Sequence, residues 1–246
     1  VYAELPDDPS ILVDAFVAGA VEVDVDALCD GHRTVVAGIM EHVEAAGIHS
    51  GDSACITPPV TLSESVIERV VATTTQLAEA IGVRGLINVQ YVIKDGEVLV
   101  IEANPRASRT VPYLSKAIGH PLAKYAALIA AGRTLEEIGL TQMPRPAFYS
   151  VKEAVLPFLK FRGVQPLLGP EMRSTGEVLG MADSFGLAFY KAQDAAQQTL
   201  PREGTVLITV SELDRPGVLE VARPFQQMGF KILAPQGTSR FLAEHG

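Results

Sequence analysis

Two short segments of the sequence carry amide and carboxylate side chains at alternating positions. Asn88 and Gln90 lie in the first segment, and Glu102 and Asn104 lie in the second. A hard divalent cation such as magnesium prefers oxygen ligands, and a carboxylate can bridge two ions bound to nucleotide phosphates. These side chains could form such a site, or they could be the solvated polar face of a surface hairpin.

The turn between the two segments decides whether the polar side chains meet. It has the sequence Lys94-Asp95-Gly96-Glu97. A two-residue Asp95-Gly96 turn would place Gln90 and Glu102 on opposite faces, whereas a three-residue loop with Gly96 in the left-handed region places them on one face. The odd-numbered positions are apolar on both segments and must pack on a core, which favours the longer loop: Ile87, Val89, Tyr91, Ile93, Leu99, Ile101 and Ala103. We therefore predict a bulged turn at Gly96, with Gln90, Glu102 and Asn104 converging.

Two arginines follow the second segment directly. Arg106 and Arg109 come within a few residues of Asn104, so their guanidinium groups could meet an anion bound to the metal. They could equally form exposed ion pairs with the acidic surplus of the chain.

The remaining pattern predicts an α/β protein. Alternation predicts a hairpin of strands at 21–26 and 34–40, and Thr61 with Glu64 predicts a capping box for a helix over 62–81. Further predicted elements are two helices ending near Gly119 and Gly132, strands at 11–13, 147–155 and 176–181, and a helix at 183–197. From Gly204 the pattern restarts as strand, helix and strand, followed by a turn at Gly237-Thr238, which indicates a second, Rossmann-like domain.

Composition narrows the function classes. The 246 residues carry 29 acidic and 20 basic side chains, a net charge of −9, which disfavours binding to nucleic acid or anionic lipid. The sequence contains neither a membrane-spanning run nor a signal segment at its start, and its two cysteines favour a reducing compartment. We therefore expect a cytoplasmic protein.

Five signatures give the sequence a family resemblance. They are Glu22 to Ala27, His49-Ser50-Gly51-Asp52-Ser53, Asn88-Val89-Gln90, Ile101 to Arg106 with Arg109-Thr110-Val111-Pro112, and Pro166 to Gly176. In these the sequence resembles the large subunits of carbamoyl phosphate synthetases, which are ATP-grasp ligases, in their second, carbamate-phosphorylating half. The resemblance implies an α+β ATP-grasp portion with a mostly antiparallel sheet over 1–150, its closing segment over 151–203, and the start of a methylglyoxal-synthase-like regulatory domain over 204–246.

The resemblance also implies roles for individual residues. Gln90, Glu102 and Asn104 match the magnesium or manganese ligands, and Gln90 and Glu102 belong to the ATP site as well. The other implied residues are Ala15 and Val17 at the adenine, Glu22 at the ribose, the closing loop Gly47, Ile48, His49 and Ser50, and Arg106 and Arg109 facing carbamate and terminal phosphate. Potassium near Glu22 and the His49 loop is a family expectation. Without the resemblance, His49 would be a hydrogen-bonded loop histidine and Glu22 a solvated carboxylate.

The implied reaction converts carbamate and ATP into carbamoyl phosphate and ADP, for pyrimidine and arginine biosynthesis. The implied partner is a glutamine-hydrolysing small subunit, and the chain alone is expected to be inactive, since Val1 falls inside the family's lid region. In the regulatory part, Thr238 matches a phosphate-binding threonine, Arg215 stands where a lysine is common, and Pro235 replaces a threonine. Whether UMP, ornithine or neither is the effector stays open.

Two other functions remain open. Another ATP-grasp ligase, such as biotin carboxylase or a D-alanine ligase, shares the Glu-x-Asn pattern of Glu102 and Asn104 but lacks the His49 loop signature. A nucleotide-sensing module would bind ATP without chemistry, and carbamate-dependent phosphoryl transfer separates it from the enzyme.

Overall fold

A computed structural model of the protein describes residues 15–160, 163, 165–212 and 214–245. The strand predicted at 11–13 lies outside these residues. The chain divides into two compact units between Gln198 and Thr199. None of the helices in the described ranges combines the length and the apolar character needed to cross a bilayer.

The first unit is built on one seven-stranded sheet in the order β5-β4-β1-β2-β3-β6-β7, in which every pairing is antiparallel. Its strands are β1 Val21–Asp30, β2 Thr34–His42, β3 Cys55–Thr57, β4 Arg84–Lys94, β5 Glu97–Asn104, β6 Tyr149–Val155 and β7 Gly176–Ala182. Its helices are α1 Glu64–Ile81, α2 Val111–Ile118, α3 Leu122–Ala130, α4 Leu135–Ile138 and α5 Phe185–Ala195. The expected α/β class with an antiparallel sheet is confirmed, and the short helix α4 was not predicted.

The central strands are buried on both faces, but the two faces differ in chemistry. On one face, helix α1 packs Val70 and Ala78 onto Val25, Val89 and other apolar side chains of β1, β2 and β4. The other face is apolar at one end, under α2 and α3. At its other end, polar side chains replace the apolar ones, since Asp24 lies opposite Gln90 and Asp26 lies opposite Asn88.

Helix α1 begins at Glu64, two residues later than predicted. Ser63 is the N-cap, and its hydroxyl accepts a hydrogen bond from the backbone N–H of Val66. Thr61 instead donates its hydroxyl to the buried carboxylate of Glu41. The prediction of a Thr61 cap is therefore wrong, because a tertiary contact takes the hydroxyl that the local pattern offered to the helix.

The second unit contains β8 Thr205–Leu207, α6 Arg215–Gln227, β9 Lys231–Leu233 and α7 Gln236–His245. Its two strands are parallel, as the strand-helix-strand pattern predicts. The turn predicted at Gly237-Thr238 is wrong. Both residues lie in the first turn of α7, which opens with a hydrogen bond from the N–H of Ser239 to the carbonyl of Pro235.

Gly180 marks the closest approach of helix α5 to strand β7. A Cβ at this position would lie 2.5 Å from the backbone nitrogen of Ala192 and would also meet the carbonyl oxygen of Ala188. Backbone atoms cannot move aside as a flexible side chain can. The absence of a side chain at Gly180 therefore sets the distance between this helix and the sheet.

We expect Gly180→Ala to lower the free energy of unfolding by about 2 to 3 kcal/mol, because the helix must shift away from the sheet. Gly176→Ala in the same strand is the matched control. Its Cβ would meet Val155 at an ordinary 3.8 Å, so its effect should stay within about 0.5 kcal/mol. Urea unfolding followed by circular dichroism measures both, and equal stability of the two variants would contradict the prediction.

Candidate functional site

The hairpin of β4 and β5 has a two-residue turn. Lys94 pairs with Glu97, and both Asp95 and Gly96 have positive φ, at 49° and 81°. An Asp-Gly pair with this geometry is typical of the tight turn whose twist matches the flanking strands. The predicted three-residue loop with a bulge at Gly96 is therefore wrong.

The bulge lies further along the hairpin. Tyr91 pairs with Val100, but the next residue, Gln90, pairs with Glu102, so Ile101 is the extra residue of β5. Beyond it, Asn88 pairs with Asn104. The prediction that Gln90, Glu102 and Asn104 share one face is confirmed, although the extra residue lies at Ile101 and not in the turn.

The same register overturns part of the predicted core. Leu99 and Ile101 are 46% and 50% exposed, so they do not pack on the core as strict alternation predicted. Ala103 packs against the core as predicted, and Val98 packs there although it was not predicted to. The two-residue turn pairs Leu99 with Val92, which puts Leu99 on the face opposite to the core, and Ile101 is the bulged residue, so neither side chain joins the core row.

A polar pocket opens on the sheet face that carries Gln90 and Glu102. Six predicted site residues line it: His49, Ser50, Gln90, Glu102, Arg106 and Arg109. Asn88, from the same polar row as Gln90, also lines it, and so do six residues that the prediction did not place at the site: Asp24, Gly51, Ser108, Thr110, Lys152 and Glu177. Asn104 lies beside the pocket and donates a hydrogen bond from its Nδ2 to Glu102 Oε1 over 2.8 Å.

The loop of His49 and Ser50 is attached to the sheet by side chains of the pocket. Gln90 Nε2 donates to Ser50 Oγ over 3.5 Å, and Lys152 Nζ donates to the Ser50 carbonyl over 3.0 Å. Lys152 is 1% exposed, so its cation is held inside the pocket wall. Burial raises the pKa of Glu177, against the opposing effect of the Lys152, Lys116 and Arg109 cations.

A second, mostly apolar pocket lies along the other part of β5. The predicted residues Ala15, Val17, Glu22 and Gly47 line it, and so do six further residues: Phe16, Ala46, Val92, Leu99, Val100 and Ile101. Ile48, predicted in the same loop as Gly47, is half-buried and lines neither pocket. Gly47 has φ 100°, and a Cβ there would approach the Phe16 ring to 3.1 Å, so this position requires glycine.

Glu22 and Asp24 are joined by His42. The His42 ring nitrogens lie 3.4 Å from Glu22 Oε2 and 3.1 Å from Asp24 Oδ2. Burial lowers the pKa of His42, but the Cys55 thiol and the two carboxylates raise it well above its ordinary value. Burial also raises the pKa of Glu22, yet the adjacent His42 ring and a hydrogen bond from the Gly47 N–H, at 2.9 Å, bring it below the ordinary value. A protonated His42 forms an ion pair with both carboxylates and a hydrogen bond to Asp24.

The sequence contained a signal for some of the residues that the prediction missed. Alternation in β1 places Glu22, Asp24 and Asp26 on one face, so the prediction of Glu22 could have been extended to the two aspartates. Lys152 and Glu177 come from β6 and β7, and no local spacing connects them to Gln90.

The carboxylate and amide oxygens near the pocket fit a hard divalent cation. Glu102 offers a carboxylate, and Gln90 and Asn104 offer amide oxygens from paired strands. No thiol or imidazole is among these three donors, which suits magnesium or manganese better than a softer metal. Glu102 is exposed, so both of its oxygens could reach an ion in the pocket.

Asp26 is a buried carboxylate next to this donor set. It is 1% exposed, and it accepts hydrogen bonds from Asn88, Ser108 and Thr110. Burial raises the pKa of Asp26 to about 6, although these three bonds lower it. The folded protein therefore holds the proton of Asp26 more tightly than the unfolded chain does.

We expect Asp26→Asn to change how stability depends on pH. Between about pH 4 and 6 the folded state of the parent protein binds the extra proton, so its stability falls as the pH rises through the folded pKa. Asparagine does not titrate, so the free energy of unfolding of the variant relative to the parent should rise by about 2 kcal/mol from pH 4 to pH 7.

Asp30→Asn is the control with the opposite sign. Backbone N–H groups of Leu135, Arg33 and His32 lower the pKa of Asp30 despite some burial. The stabilisation that the Asp30 carboxylate provides in the parent protein is thus lost as the pH falls. The stability of Asp30→Asn relative to the parent should therefore decrease as the pH rises. Urea unfolding at several pH values measures both, and parallel profiles for the two variants would contradict the assignment.

Comparison with known proteins identifies a family for this chain. The family described as "Carbamoyl-phosphate synthase L chain, ATP binding domain" matches residues 5–138, more than half of the chain. The carbamoyl phosphate synthase large chain of Deinococcus radiodurans is 60% identical over 236 residues, which cover 96% of this chain and 23% of the relative. That of Archaeoglobus fulgidus is 54% identical over 244 residues, covering 99% of this chain and 23% of the relative. The chain thus spans less than a quarter of the length of these curated relatives.

A solved structure shows the same fold. The biotin carboxylase domain of a single-chain bacterial carboxylase has a TM-score of 0.56 and 19% sequence identity, over 74% of this chain and 47% of that one. At this identity the likeness supports the ATP-grasp fold alone. The family match, by contrast, covers strands β1 to β5 and more than half of the chain, so this chain belongs to the family of carbamoyl-phosphate synthase L chain ATP-binding domains.

Proposed function

We propose that this chain supplies part of the carbamate-phosphorylating site of a carbamoyl phosphate synthetase. The observation that carries the proposal is that one strand, β5, borders both pockets. Leu99 lines the apolar pocket, and Glu102 lines the polar one beside Arg106 and Arg109. A nucleotide has an apolar base at one end and charged phosphates at the other, so the arrangement fits ATP.

The proposed pose follows the chemistry of the two pockets. The adenine would lie against Ala15, Val17 and Leu99, and the ribose hydroxyls would meet Glu22, whose lowered pKa keeps it an acceptor. The phosphates would then extend past the loop of His49 and Ser50 toward Glu102. Asn104, through its bond to Glu102, would help to orient that carboxylate.

The proposed reaction needs positioning and charge neutralisation more than covalent chemistry. A carbamate oxygen attacks the γ-phosphorus of ATP, the bond to the bridging oxygen breaks, and carbamoyl phosphate and ADP result. Arg106 and Arg109 would neutralise charge on the transferred group, and the buried Lys152 adds a third cation to the pocket wall. Gln90, Glu102 and Asn104 would hold magnesium or manganese, which supplies further neutralisation of the phosphates when bound.

The whole-enzyme context belongs to the proposal as well. It comprises a glutamine-hydrolysing small subunit, a role in pyrimidine and arginine biosynthesis, a cytoplasmic location, and potassium near Glu22 and the His49 loop. Because the chain spans only 23% of the length of its relative from Deinococcus radiodurans, turnover is proposed to need the rest of the enzyme.

The second unit is proposed as the start of a Rossmann-like, methylglyoxal-synthase-like regulatory domain, as part of the domain division 1–150, 151–203 and 204–246. Thr238 is buried in the first turn of α7, and the Arg215 guanidinium lies beside Gly237. A hydroxyl and a cation near a helix N-terminus support binding of an anionic effector there. A nucleotide such as UMP fits this chemistry.

We expect Glu102→Gln to abolish metal-dependent turnover while leaving the fold intact. The variant keeps the shape of the side chain but loses the charge that holds the cation, so the rate should fall at least about 100-fold. The assay is ATP formation from carbamoyl phosphate and ADP, the reverse of the proposed reaction, in the full-length enzyme with magnesium or manganese. Glu97→Gln, an exposed carboxylate in the same strand, is the control and should retain its rate.

Two results would count against the proposal. Near-normal activity of Glu102→Gln would remove this carboxylate from the reaction. Binding of ATP without any carbamoyl-phosphate-dependent ATP formation in the parent enzyme would favour the nucleotide-sensing alternative.

We expect Leu99→Ala to weaken nucleotide binding without slowing the chemical step. Loss of the apolar contact with the base should raise the KM for ADP about fivefold to thirtyfold, as about 1 to 2 kcal/mol of burial is lost, with kcat within about twofold. Leu187→Ala, at 48% exposure against 46% for Leu99, is the matched control on α5. Equal KM values for the two variants would show that the base lies elsewhere.

A further inference from the structure

Asp26 has a set of partners that points to a role beyond stability. Its Oδ2 accepts from Thr110 Oγ1 over 2.6 Å and from Ser108 Oγ over 2.9 Å, and the two hydroxyls lie 2.7 Å apart. Its Oδ1 accepts from Asn88 Nδ2 over 3.0 Å. In the part of the chain that the structure describes, no cation lies within ion-pair distance of Asp26. Burying a carboxylate without a cation is unfavourable unless hydrogen bonds compensate for the lost water. The three hydrogen bonds to Asp26 therefore make its burial possible.

The two hydroxyl partners flank Arg109. Residues 105–110 connect the end of β5 to the start of α2, and Ser108 and Thr110 are the positions on either side of this arginine. With both neighbours bonded to one rigid carboxylate in the central strand β1, the backbone at Arg109 has little freedom to move. Arg109 itself is exposed and reaches into the polar pocket, where its guanidinium also contacts the sulfur of Met172.

The Thr110 hydroxyl bonds to Asp26 and does not cap helix α2. Thr110 is the N-cap residue of α2, yet its side chain makes no capping hydrogen bond. A threonine in this position ordinarily stabilises a helix by capping a free N–H. Here the hydroxyl is directed to Asp26, so the contact holds the loop that carries the arginines.

The third bond connects the same carboxylate to the metal side of the pocket. Asn88 belongs to β4, two residues before Gln90, and pairs with Asn104 across the hairpin. Asp26 also lies opposite Asn88 in the pairing of β1 with β4. The Asp26 side chain therefore contacts both β4, the strand that carries the proposed metal ligand Gln90, and the loop that carries the two arginines.

We propose that Asp26 is a positioning residue for the phosphoryl transfer: through Ser108 and Thr110 it fixes the Arg106–Arg109 loop relative to Gln90 and Glu102. The inference rests on the proposed function and adds a residue to it. Asp26 does not touch the reacting atoms. It acts by holding the loop cations at the distance at which they meet the transferring group, and an error of about 1 Å in such a placement can cost about 100-fold in rate.

The test uses ATP formation from carbamoyl phosphate and magnesium ADP by the full-length enzyme. Asp26→Ala and Thr110→Val should each lower kcat about 10- to 100-fold, with the KM for magnesium ADP within about twofold, because the base and ribose contacts lie in the other pocket. Thr110→Ser keeps the hydroxyl and should restore kcat to within about threefold of the parent. The double variant Asp26→Ala/Thr110→Val should be no slower than the slower single variant, since both remove the same attachment.

Asp30→Ala is the control for a merely structural loss. This carboxylate lies in the same strand and also accepts hydrogen bonds from backbone N–H groups, but none of its partners belongs to the arginine loop. It should lower thermal stability without changing kcat.

The inference is overturned if folded Asp26→Ala and Thr110→Val keep kcat within threefold of the parent, or if Thr110→Ser loses as much as Thr110→Val. If Asp26→Ala does not fold, the comparison of Thr110→Val with Thr110→Ser still decides the question. A parent enzyme without the reverse reaction, or an active Glu102→Gln, would instead overturn the proposed function itself.

Discussion

The bulge at Ile101 is the constraint on which the site depends. A hairpin closed by Asp95-Gly96 fixes a register in which Gln90 and Glu102 would face opposite sides of the sheet, because side chains alternate along a strand. One extra residue in β5 reverses that relation from Gln90 onward while the turn keeps its tight geometry. The core then retains Val98 and Ala103, and the polar side chains beyond the bulge share one face.

Hydrogen bonds and ion pairs between its own groups stabilise most of the polar face. His42 lies between Glu22 and Asp24, Lys152 donates to the Ser50 carbonyl, and Asp26 collects one amide and two hydroxyls. Each of these groups would be costly to bury alone. Together these contacts hold the polar side chains in fixed positions on one face of the sheet. The other face of the same strands is an apolar core.

Much of this fold follows from local pattern, and the failures occur where distant residues intervene. Alternation in β1 and the glycines that end α2 and follow α3 were sufficient to predict those elements, since they act within a few residues. The pattern at Thr61 predicts the wrong cap because Glu41, twenty residues away, accepts a hydrogen bond from its hydroxyl. Burial of the odd-numbered row requires one extra residue in the hairpin, but the sequence does not determine its position. Lys152 and Glu177 reach the pocket only through the pairing of β3 with β6 and of β6 with β7, which no spacing in the sequence indicates.

Strand β5 also sets the distance between the two ends of the proposed nucleotide. Leu99 and Glu102 are three residues apart, or about 10 Å at the usual rise of a strand, and the bulge shortens and bends this path. Without the bulge, an odd separation would put the two side chains on opposite faces. With it, the apolar contact for a base and the carboxylate for a metal both open toward the same side of the hairpin as Glu22 and the His49 loop. A single inserted residue therefore accounts both for which groups converge and for the order, base to phosphate, in which a nucleotide would meet them.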